Sequence, residues 1–313
     1  MTEKFDLVVI GGGSGGLAHA QRAAEYGVRA AVIESGPLGG TCVNVGCVPK
    51  KIMWYAAHHA HLVRHADDWG FSVSLDGHDW GVLKERRDAY ISRLNDIYEN
   101  NLDRRGVTYI KGYAAFEDAH TVAVDGQRIT ADRFAIATGG YPIVPDIEGA
   151  ELGITSDGFF ELGEMPRRVA LVGSGYVSVE LAGVFNSLGA ETTILVRKEG
   201  VLRSFDYMLR ETVQLAMQKS GIRLETGITP HSLQETDEGL VVCTADGQEY
   251  GHFDAVVWAV GRAPATGNLN LDAAGVTMDE RGFVPGDEWQ QTNVAPITAI
   301  GDVTGRQALT PVA

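Results

Sequence analysis

The chain has 313 residues, of which 44% are hydrophobic, so about two domains with buried cores are expected. Its 41 acidic and 26 basic residues give a net charge of −15, which argues against nucleic acid or an anionic membrane as the main partner. Three cysteines are too few for the disulfide framework of a secreted protein, and the sequence suggests neither a signal peptide nor a membrane-spanning segment. We therefore expect a cytoplasmic protein, in which a disulfide is usually catalytic.

The first predicted elements form a dinucleotide-binding unit. A buried parallel strand over residues 5–10 leads into a glycine-rich turn and a helix. The pattern G-x-G-x-x-G is formed by Gly11, Gly13 and Gly16. Glycines there permit a tight turn and bring a pyrophosphate to the helix N-terminus. A second strand ends at Glu34, 18 residues after Gly16, where a carboxylate typically binds a ribose hydroxyl. The alternative is a glycine-rich structural turn.

Two cysteines follow this unit, with four residues between Cys42 and Cys47. Residues five positions apart do not share a helix face, but a bent helix entry at Gly46 would bring the two sulfurs together. Because proline suits the first turn of a helix, Pro49 predicts that Cys42 lies in a loop and Cys47 at a helix N-terminus. The helix dipole there favours a thiolate, so we predict a redox-active pair. The alternatives are two unrelated buried cysteines or half of a zinc site.

A second strand-to-glycine turn begins at residue 169. Gly173 and Gly175 fill the first two glycine positions, and Ser178 takes the third in place of glycine or alanine. This departure is small enough to leave a second dinucleotide site as the prediction.

The coenzyme preference of this second site is indicated by basic residues. The strand Glu191–Val196 is followed by Arg197 and Lys198, with Arg203 nearby, where an NAD site would have an acid. Guanidinium groups bind a 2′-phosphate through charge-assisted hydrogen bonds, so the site favours NADPH over NADH. The alternative is a solvated basic loop.

The segment GGTCVNVGCVPKK at residues 39–51 resembles the active-site segment of glutathione reductases, in the class I pyridine nucleotide-disulfide oxidoreductase family. The related lipoamide dehydrogenases usually have serine where this chain has Lys50. The resemblance implies an α/β fold of two doubly wound, Rossmann-like domains that bind FAD and NADPH. The FAD domain would comprise residues 1–150 and 262–313, and the inserted NADPH domain residues 151–261. It also implies a homodimer for the full-length family member, whose C-terminal dimerisation domain we expect this sequence to lack.

The resemblance further assigns site residues. FAD would contact Gly11, Gly13, Ser14, Gly15, Gly16, Glu34, Thr41, Thr138, Gly139, Asp302 and Thr310, the last at the start of a helix. NADPH would contact Gly173, Gly175, Tyr176, Arg197, Arg203, Gly261 and Arg262. Lys50 and Glu180 would pair beside the flavin; the alternative is an exposed lysine and a helix-surface glutamate.

The same resemblance implies a mechanism. Cys47 would lie next to the flavin, and Cys42 would attack oxidised glutathione, which Ser14, Arg22 and Tyr98 would contact. Tyr98 has the alternative role of a core aromatic. None of the nine histidines matches the family's proton donor, and the histidines at 58, 59, 61 and 65 offer a weaker metal-binding alternative. The alternative functions are a truncated FAD- and NADPH-binding module with little turnover, and a reductase of a close glutathione derivative.

Overall fold

A computed structural model describes residues 3–313. Within that range the helices are α1 (Ser14–Glu25), α2 (Gly40–Asn44), α3 (Cys47–Arg64), α4 (Trp80–Arg104), α5 (Ser156–Glu161), α6 (Tyr176–Leu188) and α7 (Tyr207–Lys219). The strands are β1 (Glu3–Ile10), β2 (Ala30–Glu34), β3 (Thr108–Lys111), β4 (Ala114–Asp118), β5 (Thr121–Val124), β6 (Gln127–Ile136), β7 (Gly140–Pro142), β8 (Ile154–Thr155), β9 (Arg168–Val172), β10 (Glu191–Val196), β11 (Arg223–Thr226), β12 (Pro230–Thr236), β13 (Gly239–Thr244), β14 (Glu249–Phe253), β15 (Ala255–Trp258), β16 (Arg262–Pro264) and β17 (Ile297–Ala299).

The described chain forms two compact units. The first comprises the described residues up to Val48, Ala89–Tyr141 and Arg262–Ala313, and the second comprises Pro49–Asp88 and Pro142–Gly261. Most of α3 and the start of α4 therefore belong to the second unit, because Trp80 stacks on Phe185 and the guanidinium of Arg87 bonds the carbonyl of Phe160. The expected FAD and NADPH domain boundaries remain predictions.

The first unit is built on a seven-stranded sheet in the order β3-β2-β1-β6-β5-β4, with β17 also paired to β6. Strands β3, β2, β1 and β6 pair in parallel, as do β6 and β17. Strands β5 and β4 extend the sheet in antiparallel pairs from the first half of β6. The consecutive residues Leu7–Ile10 are all buried, as expected for a parallel strand covered on both faces. Leu17 and Ala20 of α1 and Leu102 of α4 pack on one face, and Phe116 and Phe134 pack on the other.

The second unit contains a five-stranded sheet in the order β11-β10-β9-β15-β8, in which every pair is parallel. A separate antiparallel sheet is formed by β12, β13 and β14. Trp258 is fully buried in the core, and its Nε1 donates to the carbonyl of Ala150 at 2.8 Å. The predicted α/β fold with parallel, dinucleotide-binding sheets is confirmed. None of the helices within residues 3–313 combines the length and apolarity that crossing a bilayer requires.

Candidate active site

The first glycine turn joins β1 to α1 at the carboxyl edge of the sheet. Gly11 has φ +113°, and a Cβ atom on it would overlap the carbonyl of Ala137. A Cβ atom on Gly16 would overlap the carbonyl of Gly11, so the helix can approach the turn this closely only if residue 16 is glycine. Gly13 precedes α1 without a side-chain cap, and the first turn has no acidic residue. The N–H groups of Ser14 and Gly15 therefore suit an anion such as a pyrophosphate.

Glu34 ends β2 beside this turn. Its Oε2 accepts a hydrogen bond from the Gly12 N–H and its Oε1 one from the Gly36 N–H, each at 2.7 Å. These bonds fix the carboxylate next to the glycine turn. The position matches a carboxylate that orients a ribose.

Three further FAD candidates lie in the same unit. The hydroxyl oxygen of Thr138 is buried and bonds no atom of residues 3–313, so it can accept a polar partner from a cofactor. Gly139 follows with φ +66° and open space at its Cβ position. Burial raises the pKa of the Asp302 carboxyl, and the charge of Arg262 opposes this shift. The buried, unpartnered hydroxyl of Thr138 and the open space beside Gly139 are compatible with a bound FAD.

Arg262, expected to contact NADPH, makes its described contacts with Gly140 and with two of the FAD candidates. Its Nη2 donates to the carbonyl of Gly140 and lies 3.4 Å from the Thr41 hydroxyl, and its charge acts on Asp302. Its NADPH role remains a prediction.

The structure brings the two predicted redox cysteines together. Cys47 begins α3, but Cys42 lies on the short helix α2, so its predicted loop position is wrong. The reason is Gly39, whose φ of +102° starts a helical turn before the cysteine. A Cβ atom on Gly46 would lie 2.7 Å from the carbonyl of Thr41, so this glycine permits the close approach of the two helices.

Hydrogen bonding sets the properties of the Cys42 thiol. Its hydrogen bond with Cys47 raises the pKa of Cys42 strongly, and burial raises it further. Hydrogen bonds from the hydroxyls of Thr310 and Ser14 act in the opposite direction. The Thr310 hydroxyl also lies 3.9 Å from the Cys47 sulfur. We therefore expect Cys42 to keep its proton when the pair is first reduced.

Thr310 lies in a hydrogen-bonded turn, in which the N–H groups of Val312 and Ala313 both donate to the carbonyl of Leu309. That it begins a helix facing the flavin remains a prediction. The hydroxyl of Thr310 nevertheless reaches the cysteine pair.

Two asparagines that the sequence analysis missed hold the cysteine segment. The Nδ2 of Asn44 donates to the carbonyls of Leu38 and Gly40. The Nδ2 of Asn95, on α4, donates to Leu38 at 2.7 Å and to the Oδ1 of Asn44 at 2.9 Å. Asn44 was detectable as a turn-forming residue. Its contact with Asn95, 51 positions away, had no signal in the sequence.

Lys50 and Glu180 form an ion pair inside the second unit. The Nζ of Lys50 lies 2.7 Å from the Oε1 of Glu180, and only 22% of the lysine side chain is exposed. Lys50 follows Cys47 by three residues on α3. The ion pair keeps a positive charge fixed one helical turn after the second cysteine.

The second glycine turn repeats the geometry of the first. Gly173 has φ +141°, and a Cβ atom on it would overlap the carbonyl of Ala259. Gly175 precedes α6 with open space at its Cβ position, and Tyr176 begins the helix with 47% of its surface exposed. Ser178 is fully buried, and its hydroxyl bonds no described residue. The serine at the third motif position therefore fits inside the packed interior.

Arg197 and Arg203 lie on a loop that folds onto this turn. Arg197 directly follows β10, and the Leu202 N–H donates to the carbonyl of Ser174 at 2.6 Å. Both arginines are exposed, and neither pairs with a carboxylate of residues 3–313. Two guanidinium groups are therefore available to an anion. Gly261 has φ +146°, and its carbonyl accepts from the Ile143 N–H.

Of the three substrate candidates, only Ser14 contacts the cysteine pair. Arg22 is exposed and bonds Glu25 at 2.6 Å and the Tyr26 hydroxyl at 3.1 Å. Tyr98 is half-buried and packs against the core of the first unit, as its alternative role predicted. The roles of Arg22 and Tyr98 at a substrate remain predictions.

The histidines on α3, and His65 directly after it, are exposed. His58 stacks on Trp54, and the rings of His61 and His65 lie 4.4 Å apart. The part of the chain that the structure describes contains no cluster of three or more residues suited to a metal ion.

Comparisons with known proteins identify the family. The family model described as "Pyridine nucleotide-disulphide oxidoreductase" matches residues 5–313. A glutathione reductase of Yarrowia lipolytica is 45% identical, across 99% of this chain and 69% of the relative. A glutathione reductase of Schizosaccharomyces pombe is 47% identical, across 100% of this chain and 70% of the relative.

Solved structures agree with the sequence relatives. The HOCl-induced flavoprotein disulfide reductase RclA from Escherichia coli superimposes with a TM-score of 0.88 at 28% identity, covering 98% of this chain and 68% of that protein. Its Cu(II) complex superimposes with a TM-score of 0.90 at 27% identity, covering 99% and 68%. The family predicted from the cysteine segment is confirmed: the chain belongs to the pyridine nucleotide-disulphide oxidoreductases.

Proposed function

We propose that this chain is a flavin-dependent reductase that transfers electrons from NADPH to oxidised glutathione. The observation that carries the proposal is the contact between Cys42 and Cys47. The Gly39 N–H donates to the carbonyl of Gly12 at 2.8 Å, which holds the cysteine segment against the first glycine turn. Glutathione reductases with 45% and 47% identity supply the substrate class.

FAD and NADPH are the cofactors of this family, and the residues present fit both. The first glycine turn and the N-terminus of α1 would hold the FAD pyrophosphate, and Glu34 would hold the ribose. Thr138 and Asp302 would bond the rest of the cofactor. FAD, when bound, supplies two-electron exchange between a nicotinamide and a disulfide.

Arg197 and Arg203 would bind the 2′-phosphate of NADPH. Both groups are exposed and free of ion pairs with described carboxylates, and their loop is bonded to the second glycine turn. NADH lacks the 2′-phosphate, so the two arginines would not strengthen its binding. Tyr176, at the exposed start of α6, would cover the nicotinamide.

The cysteines would carry out the disulfide exchange. Two electrons from NADPH and two protons convert the Cys42–Cys47 disulfide into two thiols. The deprotonated Cys42 sulfur attacks oxidised glutathione, forming a mixed disulfide and releasing one glutathione thiolate. The Cys47 thiolate then attacks the Cys42 sulfur, restores the disulfide and releases the second glutathione. The protons lost by the two cysteine thiols protonate the two glutathione thiolates, which gives two molecules of reduced glutathione.

The raised pKa of Cys42 makes its deprotonation the demanding step. The hydroxyls of Ser14 and Thr310 donate to its sulfur and favour the thiolate, but a general base is still required. The Lys50–Glu180 pair would place its positive charge by the flavin and favour reduction there.

Cysteine variants test the proposal. With FAD-loaded protein, NADPH oxidation is followed with oxidised glutathione and, separately, with an artificial electron acceptor. Cys42→Ser and Cys47→Ser should each abolish glutathione reduction and retain the artificial reaction, whereas Cys243→Ser, in β13, should retain both. Glutathione reduction by either active-site variant would refute the proposal. Faster reduction of oxidised glutathione amide than of glutathione would reassign the substrate.

We also propose that this protein acts as a cytosolic homodimer. The dimer is suggested by the family, and the cytosol by a redox pair in a chain with only three cysteines. Light scattering on protein isolated from its source cells, together with cell fractionation, tests both. A monomer at cellular concentration or recovery in an organelle would contradict the respective proposal.

A further inference from the structure

Arg210, in the first half of α7, has an unmet hydrogen-bonding requirement. Its Nε is buried and bonds no atom of residues 3–313, and its guanidinium forms no ion pair with a described carboxylate. Buried side-chain nitrogens normally have a partner, so this one requires an explanation. An anion that is bound only during function would provide it.

The helix presents Arg210 to the loop that carries the two coenzyme arginines. The inner face of α7 is formed by Arg210, Val213, Gln214 and Met217, which are more buried than their neighbours. A Cβ atom on Gly200 would overlap the side-chain oxygen of Gln214, so this face lies against the loop between Arg197 and Arg203. Arg210 is one turn closer than Gln214 to that loop's end of the helix.

The direction of the side chain also favours this site. Long side chains on a helix lean toward its N-terminus. The N-terminus of α7 directly follows the loop, which begins where β10 ends, at the carboxyl edge of the parallel sheet. Ligands of doubly wound sheets bind at this edge. The Asp206 carboxylate, which caps α7, accepts from the Met208 N–H at 2.9 Å.

We propose that Arg210 is a third cationic residue of the 2′-phosphate site and contributes to the preference for NADPH. This inference rests on the proposed function of Arg197 and Arg203. A phosphate has enough oxygens for three guanidinium donors. Because Arg210 is half-buried while the other two are exposed, its attraction should be the least weakened by salt.

Ligand binding tests the inference without enzyme turnover. Adenosine 2′,5′-bisphosphate is titrated by calorimetry, and NADH serves as the probe that lacks the 2′-phosphate. Arg210→Gln should weaken the bisphosphate about tenfold or more and leave NADH binding unchanged. Lys219→Gln is the matched control, because it removes the same charge from the exposed far end of the same helix and should change neither affinity.

The outcomes separate this inference from the coenzyme assignment. Unchanged bisphosphate affinity in Arg197→Gln and Arg203→Gln would refute the 2′-phosphate site, and the role of Arg210 with it. If those variants weaken binding but Arg210→Gln does not, only the inference about Arg210 is overturned. If Arg210→Gln does not fold, Arg210→Met takes its place, because it keeps an apolar stem of similar length. Weaker bisphosphate binding with unchanged NADH binding would support the role of Arg210, and unchanged affinity for both ligands would overturn it.

Discussion

The residue that most constrains the chemistry is Cys42, whose pKa is raised by its hydrogen bond with Cys47 and by burial. The donated hydrogen bond stabilises a thiolate on the partner sulfur. In the reduced pair, Cys42 should therefore remain a thiol until a base removes its proton, and the charge is expected on the partner sulfur.

This charge distribution predicts a spectroscopic result. FAD-loaded protein reduced by NADPH should take up more than two electrons per flavin and show a long-wavelength band, because the Cys47 thiolate donates charge to the flavin. Cys47→Ser should abolish the band, and Cys42→Ser should retain or strengthen it. Anaerobic titration followed by absorbance measures both quantities. Persistence of the band in Cys47→Ser would reverse the roles of the two sulfurs.

The buried carboxyl of Asp302 is predicted to lower the free energy of unfolding of the FAD-free protein at neutral pH and to contribute to FAD binding. Burial raises its pKa, so its contribution to stability is full below the unfolded value near pH 4 and is lost as the pH rises through the folded value. Asp302→Asn should therefore stabilise the FAD-free protein at pH 7 but not at pH 4, and should weaken FAD binding. Urea unfolding and flavin titration measure the two effects. Asp96→Asn, at an exposed position on α4, is the control and should change neither.

Replacing Ser178 with alanine is predicted to stabilise the protein, whereas replacing a hydrogen-bonded serine usually destabilises it. Its buried hydroxyl has no partner among the described residues, and such a group costs about 1–3 kcal/mol. Ser178→Ala should raise the free energy of unfolding by about 1 kcal/mol. Ser220→Ala should lower it, because its hydroxyl donates to the carbonyl of Met217 at 2.8 Å. Denaturant unfolding of the two variants decides the matter; a loss of stability in Ser178→Ala would mean that its hydroxyl is satisfied.

Among the secondary-structure elements, the junction of α2 and α3 is predicted to depend on Gly46. A Cβ atom there would meet the carbonyl of Thr41 at 2.7 Å and push the two helices apart. Gly46→Ala should slow disulfide formation between Cys42 and Cys47, because it separates the two sulfurs, and thiol counting during oxidation measures the rate. Gly183→Ala is the matched control, since its Cβ would lie in open space within α6 and should add up to about 1 kcal/mol of stability.

Local patterns predicted the elements that carry the nucleotide motifs. The strand predicted at residues 5–10 lies within β1, and the strand at Glu191–Val196 matches β10. These predictions succeeded because a parallel strand covered on both faces is a continuous apolar run. The glycine positions were also recognisable, because Gly11 and Gly173 adopt conformations that other residues rarely tolerate.

Contacts between distant segments were not predictable in the same way. The helical position of Cys42 depends on the conformation of Gly39, and its pKa depends on Ser14 and Thr310. The bond between Asn44 and Asn95 joins residues 51 positions apart, and neither residue has a periodic signal. The family resemblance suggested that Lys50 pairs with Glu180, whereas charge spacing along one helix would not have related them.

At the scale of the whole molecule, the candidate sites divide between the two compact units. The FAD candidates from Gly11 to Thr310 belong to the first unit, and the NADPH candidates from Gly173 to Gly261 belong to the second. Arg262 is the exception, since it begins the last segment of the first unit. The net charge of −15 repels anionic coenzymes at long range, so each site must attract its ligand with local groups.

This division predicts that each ligand stabilises a different part of the chain. A ligand at one hundred times its dissociation constant stabilises the structure it binds by about 2.7 kcal/mol, equivalent to roughly hundredfold slower exchange of amides that open with that structure. FAD should slow hydrogen exchange most in β1, β2 and β6, and adenosine 2′,5′-bisphosphate most in β9 and β10. Hydrogen–deuterium exchange with peptide resolution, on flavin-free protein with each ligand in turn, measures this. Equal protection of both groups of strands by FAD alone would show that the two units open together, and protection of β1 by the bisphosphate would contradict its assignment to the second glycine turn.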